Sequence, residues 1–234
     1  MSAAKSNNSI IIGGGEVGVA LYNVLSPGYS VAIIDKDKEK CVGFIKDNVQ
    51  YLHICIPYSK RFVRAVKKYQ KKYNPRYTII HSTVPVGTSR KLNAVHSPVR
   101  GIHPRLKEGI QTFVKYLGGK QAGEVADYFR RAGIRVYIYD KPETTELMKI
   151  LSTTKYGVDI EFTKEVKRLC DEYDVPFEAW KIWTDDYNDG YERLGYPEYK
   201  RANLIPMMKV ISGHCVRQNL PLLKSKFTNF LKRL

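Results

Sequence analysis

Apolar positions over the first 140 residues follow two rhythms that take turns. Short runs that are apolar almost throughout predict buried parallel strands at Ser9–Ile12, Val31–Asp35, Tyr51–Pro57, Tyr77–Ser82 and Val136–Tyr139, with shorter strands near Val95 and over Val114–Leu117. Between them, Val19–Leu25, the stretch holding Phe62, Val63, Val66 and Tyr69, and Glu124–Ala132 keep three-to-four spacing and predict helices. Asp37–Asp47 reads as a short helical or irregular link. Strand and helix in alternation imply an α/β fold with a mostly parallel sheet covered on both faces.

The rhythm changes at Asp140. Pro142 suits a first helical position, Glu143 and Glu146 suit the positive end of a helix, and nothing breaks the pattern before Pro176. Leu147, Ile150, Leu151, Thr154, Val158, Phe162, Val166 and Leu169 hold helical spacing throughout. About thirty residues at about 1.5 Å each give a helix of roughly 45 Å, a length that carries a second domain or a dimer interface. Further helices are expected over Phe177–Trp183, Leu204–Ile211 and Leu220–Leu234. The expected organisation is therefore a Rossmann-like domain over 1–140 and an all-α domain over 141–234 built on one long central helix.

Chemistry concentrates first between the opening strand and helix. Gly13-x-Gly15-x-x-Gly18 follows an apolar run, opens a helix, and is followed by a second apolar run that ends on Asp35. Each glycine has its own reason: a tight turn, close backbone approach to a pyrophosphate, and close packing of helix on strand. The N–H groups of the helix start, at Glu16 and Val17, together with the positive end of its dipole, face the phosphates. Asp35 is placed to accept from ribose hydroxyls, which favours NAD, while Lys36 and Lys38 leave NADP open. A tight turn without a ligand is the simpler alternative.

Composition adds bounds. At 234 residues and 43% apolar the chain can bury one large core or two small ones. No run approaches the roughly 18 apolar residues of a membrane span. Met1–Asn8 has no apolar signal-peptide core and reads as a polar tail, with a cytoplasmic location expected. Cys41, Cys55, Cys170 and Cys215 stand far apart without metal-ligand spacing, so reduced thiols and no metal site are expected. The formal net charge of +16 suits an anionic small molecule and leaves nucleic acid open. Its densest stretch holds Lys60, Arg61, Arg64, Lys67, Lys68, Lys71, Lys72 and Arg76 without an acid, and a solvated helix face is the favoured reading.

Taken together, Gly13–Gly18, His53-Ile54-Cys55-Ile56-Pro57, Ser82-Thr83-Val84-Pro85-Val86-Gly87-Thr88, the helix Glu146–Glu172 and Gly213-His214-Cys215 resemble the UDP-glucose/GDP-mannose dehydrogenase family, in the family's order. The resemblance implies an NAD-dependent enzyme that oxidises the C6 alcohol of a nucleotide sugar, and a homodimer through the long helix. It assigns Cys215 as the nucleophile whose thiolate adds to the aldehyde, because a free aldehyde gives up no hydride until something adds to it. It assigns Lys149 to the developing charge on the substrate oxygen. Thr83 takes the role of positioning water beside the nicotinamide, and Pro57 and Ser82 lie at the cofactor edge of the sheet. Glu108, matched across a one-residue gap, and His103, where the family has Asn, fall near the sugar.

Departures from the family pattern point the other way. Asn219 stands where the family has an Asp after its cysteine, and Thr153 where its helix presents an Asn. The link from Asp35 to Tyr51 is shorter, which implies a missing strand, and the chain ends about twenty residues after Cys215, where the family continues into a nucleotide-gripping domain. A non-catalytic dinucleotide-binding or regulatory protein and a one-step hydroxyacid or sugar dehydrogenase of the 6-phosphogluconate type therefore stay open.

Overall fold

A computed structural model describes residues 8–206 and 214–233. Strands β1 (Asn8–Ile12), β2 (Val31–Ile34), β3 (Val49–Ile54), β4 (Tyr77–Ile80), β5 (Val95–His96), β6 (Lys115–Gly118) and β7 (Val136–Tyr139) form one sheet in the order β2-β1-β3-β4-β5-β6-β7. All neighbours are parallel except β5 and β6. Alternate residues of a strand face opposite sides, so unbroken apolar runs mean two covered faces. Ile11 lies in a core with Leu21 and Leu25 of α1 (Glu16–Leu25), Leu106 and Ile110 of α4 (Leu106–Thr112) and Phe129 of α5 (Ala122–Arg131). Ile10 and Ile12 lie in the opposite core with Phe62 and Val66 of α2 (Phe62–Tyr73) and Leu92, which follows α3 (Thr88–Lys91).

The chain leaves β1 for β2 on one side and then crosses to β3 on the other, so the carboxyl ends of β1 and β3 flank the switch point where doubly wound sheets open a crevice. The glycine turn sits at that end. β2 is an edge strand with one free side, although its faces are covered and Ala32 and Ile33 are buried. The short link after it makes one 3-10 turn, Lys38–Lys40, and then Val42 exchanges backbone hydrogen bonds with Ile33 at 2.8 and 3.0 Å. A single antiparallel bridge thus stands where a longer link would have room for a strand.

Helix α6 runs without interruption from Pro142 to Glu172, and α7 from Phe177 to Arg193, past the expected end at Trp183. Two expectations fail further on. Leu204–Pro206 is not helical, and residues 207–211 lie outside the described residues. The expected helix Leu220–Leu234 is instead a 3-10 turn, Leu220–Leu222, followed by α9 (Lys226–Leu231). Pro221 has no N–H with which to continue a helix, and Ser225 restarts one through a capping box with Thr228.

The chain divides into two compact units, one ending at Lys149 and one beginning at Ile150. Within the second, the buried line of α6 differs from the expected stripe. Ile150, Thr154, Ile160 and Thr163 are buried, whereas Phe162 is 58% exposed and Leu151 and Leu169 are also exposed. Gly157 explains part of this, since a Cβ there would lie 2.8 Å from Val216 Cγ1 on α8 (His214–Arg217). Val216, Leu220 and Leu231 pack with Ile160 at that point.

Candidate functional site

At the glycine turn, the three spaced glycines have different surroundings. Gly13 takes φ +108°, and a Cβ there would lie 2.8 Å from the Cys55 carbonyl oxygen. A Cβ on Gly18 would fall 1.9 Å from the Gly13 oxygen, so helix and turn can touch only through glycine. Gly15 has no heavy atom within 4 Å of its Cβ position, leaving open the side where a pyrophosphate would approach. Gly14, which the spacing argument passes over, is closed by the Lys38–Lys40 turn, with Lys40 O 2.7 Å from its Cβ position.

The Asp35 carboxylate holds this arrangement together. Its Oδ2 accepts the Gly14 N–H at 2.7 Å and its Oδ1 accepts the Asp37 N–H at 2.9 Å. These two backbone donors hold its pKa below the ordinary carboxylate value. Each oxygen keeps a lone pair, so the group can still accept from a ribose hydroxyl. Lys36 is exposed beside it. Glu16, first in α1, pairs with His103, which brings the loop after β5 against the start of α1. The residues present therefore fit a dinucleotide.

Around the ends of β4 and β5, Lys149 donates to the Val99 carbonyl at 2.9 Å. His96 donates from Nε2 to Ser82 O at 3.2 Å, and its Nδ1 lies 2.8 Å from Thr145 Oγ1. Burial pushes the His96 pKa down to about 3, with Lys115 and Lys149 adding to the effect. His96 thus bonds to the Ser82 backbone and lies within electrostatic reach of Lys149. The Ser82 hydroxyl donates to Ile56 O at 2.6 Å and so ties β4 to the segment that ends in exposed Pro57. Thr83 is half-buried.

Glu146, read in the sequence only as a dipole complement, is wholly buried and accepts the N–H groups of Gly87 at 2.6 Å and Ser89 at 2.7 Å. It fixes the Pro85–Ser89 loop to α6 one helical turn before Lys149. Burial raises its pKa despite those two donors. An acid on the apolar side of a helix was the available signal.

A second feature escaped sequence reasoning. Ser9, Tyr128, His53, His81 and Ser97 form a hydrogen-bonded chain across the buried sheet, with steps of 2.8, 3.2, 3.0 and 2.8 Å. The Ser97 carbonyl can only accept, so with both imidazoles neutral each step is fixed: His81 Nδ1–H donates to it, His53 Nδ1–H donates to His81, Tyr128 donates to His53, and Ser9 donates to Tyr128. Lys115, 5% exposed, lies 3.5 Å from the same carbonyl, and burial lowers its pKa to about 7. Burial likewise pushes the Cys55 thiol up to about 12, which makes it inert.

Of the remaining candidates, Glu108 is exposed on α4 and pairs with Arg105 at 3.3 Å. Thr153 donates to Ile150 O at 2.9 Å, and Asn219 is buried before the Leu220–Leu222 turn; both belong to the second unit. The side chains of Cys215 and His214 lie outside the described residues. Among the described residues, no group of three His, Cys, Asp or Glu is placed to hold a metal, and no helix is long and apolar enough to cross a membrane.

Comparison with known proteins adds to this geometry. UDP-N-acetyl-D-mannosamine dehydrogenase of Methanococcus vannielii is 23% identical over 151 residues, 59% of this chain and 32% of that protein. The chain is related to the nucleotide-sugar dehydrogenases. The curated relative is about three times as long as the stretch it shares. The solved UDP-D-ManNAc dehydrogenase of Pyrococcus horikoshii superposes with a TM-score of 0.79 at 17% identity, covering 97% of this chain and 67% of that one. The 3-hydroxyisobutyrate dehydrogenase of Mycobacterium tuberculosis, solved with L-serine, gives 0.70 at 12% identity, covering 97% and 91%. At these identities the structures establish the fold. No family model matches the chain.

Proposed function

We propose that the chain binds a nicotinamide dinucleotide at the glycine turn and oxidises an alcohol of a sugar or nucleotide sugar. The observation that carries this reading is the contrast within the turn: Gly13 and Gly18 are closed by backbone, while Gly15 opens outward beside an oriented Asp35 carboxylate. In this reading the start of α1 holds the pyrophosphate, Asp35 takes the ribose of NAD, and Lys36 offers the alternative of NADP. The cofactor, when bound, accepts hydride. Lys149 stabilises the substrate oxygen as charge develops, and Thr83 positions water. The Cys215 thiolate adds to the aldehyde carbon, forming a C–S bond as the C=O π bond breaks and its oxygen takes up a proton, and the aldehyde's own C–H, now on a tetrahedral carbon, can leave as hydride.

A second reading has a specific support, the superposition on nearly the whole of a hydroxyacid dehydrogenase. There the reaction stops after one hydride, Lys149 keeps its role and Cys215 has none. Incubation with NAD and a panel of UDP- and GDP-sugars and small hydroxyacids separates the two. The nucleotide-sugar reading expects two NADH per substrate, falling to one or none with Cys215→Ala. One NADH, unchanged in that variant, selects the second reading. No NADH with any substrate, while NAD binds, removes both and leaves a dinucleotide holder.

A further inference from the structure

Helix α2 carries Arg64, Lys67, Lys68, Lys71 and Lys72, all exposed, and at about 100° per residue they fall within an arc of about 140°. Phe62, Val66 and Gln70 occupy the opposite side, the first two in the sheet core and Gln70 bonded to Thr78 Oγ1 at 3.1 Å and Leu92 O at 2.9 Å. None of the five cations forms an ion pair with a described residue.

Helix α6 behaves differently. Lys155, Lys164, Lys167 and Arg168 each have a carboxylate one turn away, at 2.6, 2.7, 2.5 and 2.8 Å. Cations on α6 are neutralised within the helix, while those on α2 repel one another at i,i+3 and i,i+4, with Arg61 and Arg64 at the end where the helix dipole disfavours positive charge. The sequence favoured a solvated face. The structure adds that, among the described residues, no carboxylate forms an ion pair with it.

We propose that the exposed face of α2 binds the phosphodiester backbone of nucleic acid without reading its sequence. Charge density decides the class of partner. Five cations from residue 64 to 72 give one per about 2.4 Å of helix axis, against one phosphate per about 1.7 Å of duplex axis. An anionic membrane is a poorer fit, because Phe62 and Val66 are buried in the sheet core and Tyr69 and Tyr73, the second beneath Lys72 Nζ at 4.8 Å, are packed against that core rather than free to enter a lipid surface. Contacts made only to phosphates position a protein and carry no base information.

The test uses the whole chain and a labelled 24-base-pair duplex of arbitrary sequence, with binding followed by anisotropy from 25 to 200 mM salt. The expected log–log slope is about −4, as for four or five phosphates neutralised. Arg64→Gln, Lys67→Gln, Lys68→Gln and Lys71→Gln together leave only Lys72 of the five and bring the slope to about −1 or shallower, and each alone lowers its magnitude by about one. The single variants decide the matter should the quadruple variant not fold. Neutralising Lys155, Lys164, Lys167 and Arg168 on α6 leaves the slope unchanged. Absence of binding at 25 mM salt overturns the proposal. So does an α2 variant that binds like the wild type, or equal affinity for polyglutamate or for phosphatidylserine vesicles at the same charge concentration.

Discussion

Nδ1 of His53 and Nε2 of His81 lie 3.0 Å apart in the middle of the sheet, with His53 wholly buried and His81 nearly so. Two neutral rings close the chain from Ser9 to Ser97 with one donor and one acceptor at every step. Burial accordingly pushes the His53 pKa down to about 3 and that of His81 well below its ordinary value.

Stability to acid follows from this pair and from His96. A histidine whose folded pKa is lowered binds fewer protons folded than unfolded between that value and 6.5, so unfolding free energy falls as pH falls through that window. Each such histidine contributes up to about 1.4 kcal/mol per pH unit. Denaturant titrations between pH 7 and 4 are expected to show this decline, and His53→Gln to reduce its slope. A flat profile would contradict the buried chain.

Lys115 acts at the other end of the scale. Its folded pKa of about 7 lies below its ordinary 10.5, so between these values the unfolded chain holds a proton that the folded chain has released. Stability therefore rises with pH across that window. Lys115→Met is expected to flatten the profile from pH 7 to 10 and to raise the melting temperature at pH 7. The check is calorimetry of both proteins across that range.

Gly18→Ala would drive a Cβ to 1.9 Å from a backbone oxygen, whereas Gly15→Ala meets nothing within 4 Å. The first is expected to lose about 3 kcal/mol and about 10 °C in melting temperature, and the second to melt like the wild type. Equal losses in the two variants would mean that the turn is not built as described.

How far the sequence could lead is visible in these residues. Periodicity led to the sheet and α6 because their signals are long and local, and the glycine spacing marked the turn because each glycine there has a steric cause. The Ser9–Ser97 chain was hidden because its members lie up to 119 positions apart and each alone fits a strand or helix. Gly14 and Glu146 escaped for a related reason, since their partners, Lys40 and the Gly87–Ser89 backbone, are brought to them only by folding. The last helix, expected over Leu220–Leu234, was overextended because leucine spacing outweighed Pro221 and the Ser225 cap, whereas α7 was cut short at Trp183.

Exposed Leu151 and Phe162 on α6, with Ile182 and Trp183 on α7, leave the second unit with apolar surface suited to a second copy of the chain. A homodimer is expected in sedimentation equilibrium, and Phe162→Glu with Trp183→Glu is expected to shift it to monomer. A wild-type monomer at high micromolar concentration would remove the dimer from the account.

The most direct measurement of the central claim is calorimetric titration of NAD+ into the wild-type protein and into Gly15→Ala. The account predicts saturable one-to-one binding by the wild type, and at least tenfold weaker binding, about 1.4 kcal/mol, by a variant whose melting temperature is unchanged. Equal affinity in the two proteins, or no binding of NAD+ or NADP+ by either, would contradict it.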